Sequence, residues 1–181
     1  SGQSTQAKLL KDFMVKKVYK VELTKEPTLN SKAGKELRKI LDKKRKISPK
    51  KLQELFAKDR QEHLKKTIIP ALKRGKIVIS DRYFFSSFAY GAASGLSLNR
   101  LIKINEKFLM PDFVFFLATS PETCLKRIKK RGDRVTLFEQ KEKLRKVYKV
   151  YKTLTKKFKN IKIINGEQPK KLVFSRIKKT I

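Results

Sequence analysis

Cysteine is almost absent from this chain: Cys124 is the single one in 181 residues. No disulfide can close within it, so stability has to come from a packed core, which a chain of this length can bury. The low cysteine content also points to a reducing, cytoplasmic setting. Long apolar runs are missing as well. No stretch approaches the roughly 20 residues of a membrane span, and the beginning has no charged-then-apolar leader, so a soluble protein of one domain, residues 1–181, is expected. Acidic residues are scarce: 16 Asp+Glu stand against 48 Lys+Arg, a formal net charge of +32. Such a field attracts polyanions. The basic residues are nevertheless spread along every predicted helix, as in Lys43-Lys44-Arg45-Lys46, Lys129-Lys130, Lys156-Lys157 and Lys178-Lys179, and are not gathered beside exposed aromatics. They read as solvated helix faces, with nonspecific adhesion to nucleic acid expected at low salt.

What is present is an alternation of amphipathic helices and short apolar strands. Residues 5–16 form a helical stripe, and Val18 to Leu23 reads as a strand. Helices are expected over 31–41, from Ser48-Pro49 toward Leu64, over 98–109 behind Ser97, and over 121–130 behind Ser120. The Ser-Pro pairs put a capping hydroxyl before a proline whose missing N–H costs nothing in the first turn. Pro70 starts or kinks a segment ending at Gly75. Ile77-Val78-Ile79-Ser80 and Phe113 to Leu117 are continuously apolar, as strands covered on both faces of a parallel sheet are. Leu144, Val147, Tyr148, Tyr151, Leu154 and Phe158 keep one helical face apolar. Ile161 to Ile164 is a last strand, Asn165-Gly166 a turn, and 169–180 a closing helix. The fold class is α/β, an open parallel sheet with helices on both faces. Such sheets bind ligands beyond the carboxyl ends of their strands, where Thr24-Lys25-Glu26, Ser80-Asp81-Arg82, Thr119-Ser120 and Asn165-Gly166 lie.

The first residues, Ser1-Gly2-Gln3-Ser4-Thr5-Gln6, read as the second half of a phosphate-binding loop with glutamine in place of its lysine. In the full loop the backbone N–H groups wrap the phosphates, the lysine neutralises their oxygens and a hydroxyl holds Mg²⁺. The same residues also read as a simple helix N-cap. Asp81 and Arg82 directly follow a buried strand, where a carboxylate can hold Mg²⁺ and a guanidinium a phosphate; an ion pair or cap is the alternative. Cys124 falls beside Leu125 and Ile128 and reads as a small core residue. His63 reads as a solvated or capping histidine.

Taken in order, these pieces resemble the thymidylate kinases, nucleoside-monophosphate kinases of the P-loop type. The motifs are Ser1 to Gln6, Thr24-Lys25-Glu26-Pro27-Thr28, Leu55-Phe56-Ala57-Lys58-Asp59-Arg60 with His63, Ser80-Asp81-Arg82-Tyr83, Ser86 to Tyr90 and Arg127 to Arg134. The resemblance runs essentially from end to end. It implies transfer of the γ-phosphoryl group of ATP to dTMP, with Mg²⁺ and a homodimeric assembly. It places ATP against Ser1, Gly2, Gln3, Ser4, Thr5, Arg127, Asn165 and Gly166, and the metal at Ser4 and Asp81. It assigns Phe56 to stacking on thymine, Arg60 to its O4 edge, Arg82 to the dTMP phosphate and Tyr90 to the deoxyribose. Lys25 and Glu26 belong to the acceptor-side loop, with Lys25 where an arginine is usual. Asp81, Arg82, Arg131 and Arg134 form the catalytic set, the last two on a basic lid at about 127–140.

Three departures accompany the resemblance. Gln3 carries no charge, and losing one preorganised charge can lower a rate on the order of 10²–10³-fold. Gly91 stands where glutamine is common. The strand that launches the loop is missing from the centre of the sheet, so the sequence is expected to begin inside a longer chain. A deoxynucleoside kinase and a catalytically silent nucleotide- or nucleic-acid-binding relative are the alternatives to dTMP phosphorylation.

Overall fold

Serine hydroxyls start three of the helices. In the computed structural model, which describes residues 1–42, 45–132 and 141–181, Ser31, Ser48 and Ser120 accept the backbone N–H of Gly34, Lys51 and Thr123. They open α2 (Lys32–Leu41), α3 (Pro49–His63) and α7 (Pro121–Arg131), each satisfying one N–H that has no partner within its helix. The first helix, α1 (Gln3–Lys16), begins directly after Gly2. A π-helical turn, Leu64–Ile68, joins α3 to α4 (Ile69–Lys73), which carries Pro70 in its first turn. The remaining helices are α5 (Phe84–Ala92), α6 (Leu98–Asn105), α8 (Lys141–Lys157) and α9 (Lys170–Lys178). The helix expected over 98–109 thus ends four residues early.

Four strands carry the expected parallel pairing: β1 (Val21–Lys25), β2 (Ile77–Asp81), β3 (Val114–Ala118) and β4 (Ile161–Asn165). β1 pairs with β2 in the register Val21↔Ile77 to Lys25↔Asp81, and β3 with β4 from Val114↔Ile161 to Ala118↔Asn165. Among the described residues the open parallel sheet is therefore present as two parallel pairs. Among the described residues each of the four strands is paired along one edge.

Side-chain alternation along the strands divides the interior into two layers. Val78, Val114 and Phe116 face a core built with Phe84, Phe85 and Phe88 of α5 and Val147 and Leu154 of α8. Ile79, Phe115 and Leu117 face the opposite way, against Leu10 and Phe13 of α1 and Val173 and Ile177 of α9. Residues of both strand pairs enter both clusters, so helices cover both faces, as the continuously apolar strands require. Rings fill the larger core: Phe85 meets Phe158 edge-on at 5.1 Å, and Tyr151 stacks on Phe116 at 4.6 Å. Each fully buried ring contributes roughly 1.5–3 kcal/mol.

One expected strand shifts. Val18 to Leu23 reads as extended, yet β1 begins at Val21. Val18 has a left-handed backbone (φ 67°), donates its N–H to Val15 in the turn that ends α1, and is 92% exposed. The strand instead continues through polar Thr24 and Lys25, because Ser80 and Asp81 of β2 lie opposite them.

Candidate active site

Parallel pairing sets the ends of β1 and β2, Lys25 and Asp81, side by side, and likewise those of β3 and β4, Ala118 and Asn165, and the start of α1 reaches Asp81. Gly2 precedes α1 with a left-handed backbone (φ 86°), turning the chain so that the first helical side chains reach β2. The Gln3 amide nitrogen donates to Asp81 Oδ1 at 3.1 Å, and Ser4 Oγ donates to Asp81 Oδ2 at 2.5 Å. Asp81 is 7% exposed, whereas Ser4 remains exposed. The expected metal pair, Ser4 and Asp81, is thus brought together, with Gln3 on the same carboxylate.

Arg127 ties this end to the turn after β4. Its guanidinium donates to the Gly166 carbonyl at 3.0 Å and to the Ser1 carbonyl at 3.4 Å, joining the two halves of the expected ATP set. Gly166 lies so close to β3 that a Cβ would strike Thr119 Oγ1 and sit 3.2 Å from the Ala118 oxygen; only glycine fits the turn without displacing them. Asn165 Oδ1 accepts the Glu167 N–H at 3.0 Å, and Glu167 Oε1 accepts the Ser120 N–H at 2.5 Å. That backbone donor holds the Glu167 carboxyl below the ordinary carboxylate range, with Thr123 adding to it. A shallow cleft of about 520 Å³ opens beside this turn, lined by Ser120, Pro121, Tyr148, Ile163, Asn165 and Glu167 among others. Thr5 lies exposed on α1 and Arg131 ends α7. Arg134 and the lid stretch 133–140 lie outside the described residues.

On the other side of Asp81, the loop after β1 turns inward. The Glu26 N–H donates to the Asp81 carbonyl at 3.1 Å, and the Glu26 side chain is buried, 3% exposed. Its Oε2 accepts from Arg60 Nε and Nη2 at 2.9 and 2.7 Å, and its Oε1 meets His63 Nδ1 at 3.1 Å. A carboxylate only accepts, so Nδ1 carries the proton; Nε2 faces Thr24 Oγ1 at 2.5 Å. Arg60 is 1% exposed and also donates to Asn105 Oδ1 at 2.6 Å and Ser87 Oγ at 3.3 Å. Its carbon lies 5.2 Å from the Tyr83 ring centre. These bonds commit four of the five guanidinium N–H donors. Phe56, half-buried one turn earlier on α3, packs against the cluster of Leu37, Ile40 and Leu52.

Arg82 stands between these groups. Its backbone is left-handed (φ 75°), and its guanidinium lies 5.5 Å from the Tyr90 ring centre. Burial works against its charge, but Tyr90, Tyr151 and Asp81 outweigh it and hold the group above the ordinary arginine range. Burial likewise raises Tyr151, whose hydroxyl lies 3.3 Å from Ser86. Lys25 is exposed at the end of β1.

The profile of the family described as "Thymidylate kinase" matches residues 1–177. The chain belongs to the thymidylate kinase family. It is 44% identical over 171 residues to a "Probable thymidylate kinase" of Pyrococcus horikoshii, covering 92% of this chain and 83% of that protein. It is 41% identical over 186 residues to one of Thermococcus kodakarensis, covering 98% and 90%. The "Thymidylate kinase" of Caldicellulosiruptor saccharolyticus is 37% identical over 187 residues, covering 100% and 90%.

Within this thymidylate kinase fold, two sequence readings need correction. His63 is not a solvated histidine: it is 4% exposed and wedged between Glu26 and Thr24. Cys124 is half-buried, its sulfur 3.9 Å from the Thr119 oxygen, and is not a core residue. Asp59 and Ser87 stand inside the quoted motifs but were given no role, and Asn105 was not singled out. A charged residue on the inward face of α3 is itself a signal of a buried polar network.

Proposed function

We propose that this chain transfers the γ-phosphoryl group of ATP to dTMP. An oxygen of the dTMP phosphate attacks the γ-phosphorus, the bond to the β–γ bridging oxygen breaks, and dTDP and ADP leave. The observation that carries this reading is the position of Asp81-Arg82: the start of α1 lies on one side, with Gln3 and Ser4 on Asp81, and the Glu26–Arg60 pair lies on the other. Donor-side and acceptor-side groups meet at one strand end, which in-line transfer requires.

In this reading Ser1 to Thr5 offer backbone N–H groups and hydroxyls to the ATP phosphates, and the Asn165-Gly166 turn with Arg127 borders the adenosine. Arg82 grips the dTMP phosphate, which its charge suits. Phe56 supplies a face for the base, and Arg60 is the group assigned to its O4 edge. Tyr90 packs against the sugar and crowds out a 2′-hydroxyl. Lys25 reaches the acceptor phosphate, and Arg131 and Arg134 close over the donor. Ser4 and Asp81 supply two oxygen donors 2.5 Å apart, and no group of three His, Cys, Asp or Glu able to hold a metal occurs among the described residues. That donor set fits Mg²⁺ arriving on a nucleotide, completed by phosphate and water, and not a closed protein cage. Bound there, Mg²⁺ would neutralise charge on the transferring phosphoryl group.

The test is ADP formation with dTMP, thymidine and UMP as acceptors. Turnover of dTMP alone supports the reading, turnover of thymidine replaces it with a deoxynucleoside kinase, and equal use of UMP removes the role given to Tyr90. A second reading, a catalytically silent nucleotide binder, is favoured by one contact: Gln3, not an ammonium, occupies Asp81. It predicts dTMP binding without ADP release.

A further inference from the structure

Beyond the groups that touch substrate in that reading, α3 carries a buried carboxylate with no part in it. Asp59 is 1% exposed. Its Oδ2 accepts the Thr28 backbone N–H at 2.8 Å, and its Oδ1 accepts the hydroxyls of Thr28 and Ser31, both at 2.5 Å. These three donors are neutral. Ser31 passes the constraint onward, because its Oγ accepts the Gly34 N–H at 2.7 Å and so caps α2. There is no slack at this junction: a Cβ on Gly34 would strike the Thr28 carbonyl oxygen and come within 2.9 Å of Asp59 Oδ1.

The loop that follows β1 is therefore pinned at both ends to one helix. Glu26 is held by Arg60 and His63, and Thr28 with Ser31 by Asp59. Phe56 lies on the same helix, one turn before. An ionised carboxylate in the interior is costly unless hydrogen-bonded, and among the described residues the bonds it receives come from the loop and its exit into α2. Charge-assisted bonds of this kind are the strong ones.

We propose that Asp59 is a positioning residue for the phosphate acceptor: it fastens the loop of Lys25 and Glu26 to the helix of Phe56, fixing the distance between the phosphate end and the base end of the acceptor site. This rests on dTMP being the acceptor. Asp59 touches no substrate; it acts through Thr28 and Ser31.

Calorimetric titration of the full chain with dTMP, and separately with ATP–Mg²⁺, tests it. Asp59→Asn keeps an oxygen for the Thr28 N–H but removes the charge and puts an amide NH₂ opposite the Thr28 and Ser31 hydroxyls that now donate, and Thr28→Val removes a hydroxyl while keeping the backbone bond. Each should weaken dTMP binding about tenfold or more, the worth of one hydrogen bond to a charged group, while ATP–Mg²⁺ affinity stays within about twofold, inside the scatter of near-neutral changes. Thr28→Ser, which keeps both donors, should bind dTMP like the parent. Unchanged dTMP affinity in folded Thr28→Val and Asp59→Asn, or an equal loss for both nucleotides, would overturn the proposal and leave Asp59 a purely structural residue. If Asp59→Asn does not fold, the Thr28→Val and Thr28→Ser pair decides. A parent chain that binds no dTMP would instead strike the acceptor reading itself.

Discussion

Breaking the Glu26–Arg60 pair from one side should destabilise the fold far more than removing both charges together. Arg60 is 1% and Glu26 3% exposed, joined at 2.9 and 2.7 Å. Glu26→Gln leaves a guanidinium with no counter-charge in an interior where Tyr83, Phe108 and Asn105 surround it, and Arg60→Met leaves a carboxylate with only His63. Stranding one charge of a buried pair costs about 3–5 kcal/mol. In a chain of this size each kcal/mol moves the melting temperature by about 2–4 °C, so a fall of about 6–20 °C is expected for either single variant. The double variant Glu26→Gln/Arg60→Met removes the uncompensated charge and should recover a large part of that loss, since replacing a whole buried ion pair is often neutral. The assay is thermal and urea unfolding of the four proteins without nucleotide, closed as a double-mutant cycle. Single losses below about 1 kcal/mol, or a double variant whose loss is the sum of the two, would refute the claim that these charges are desolvated and mutually dependent.

Gln3→Lys places an ammonium beside Asp81, 3.1 Å from the present amide, and should raise dTMP-dependent ADP formation on the order of 10²–10³-fold; an unchanged rate would favour the silent-binder reading. Arg82→Ala should abolish that activity in the Gln3→Lys background while far-UV circular dichroism stays the same, because the guanidinium acts on neighbouring side chains, Tyr90 first among them. Glu167 has a folded-state pKa below its unfolded value. Its contribution to stability is therefore complete above about pH 4.3, the unfolded carboxyl value, and disappears as pH falls through the lower folded value. The melting-temperature gap between parent and Glu167→Gln should accordingly be present at neutral pH and close on acidification; a constant gap would contradict the Ser120 contact.

Elements announced by local chemistry were legible in the sequence. Ser48-Pro49 and Ser120-Pro121 mark the starts of α3 and α7, and the apolar runs at Ile77 and Phe113 mark β2 and β3. Valine and tyrosine at 18–19 misled the reading of β1, because the turn closing α1 imposes a left-handed Val18 that no local preference announces. Within the site, Asp81 with Ser4 and Arg82 with Tyr90 followed from motif order. Asp59 and His63 did not. Their partners Thr28 and Thr24 lie 31 and 39 residues away, and helical periodicity assigns polar residues to the solvent face unless a network is known to face them.

Arg82 holds a backbone conformation that L side chains rarely adopt (φ 75°), and such a residue stores about 1–3 kcal/mol that a glycine would not. Under the proposed function, stability and chemistry therefore make opposite demands on one position. A variant library of this protein selected for heat resistance alone should drift toward glycine or asparagine at residue 82, yielding hardier molecules without the guanidinium that the proposed transfer sets against the acceptor phosphate. Any effort to toughen the fold has to select for turnover at the same time, or it will discard the residue to which that proposal gives the acceptor.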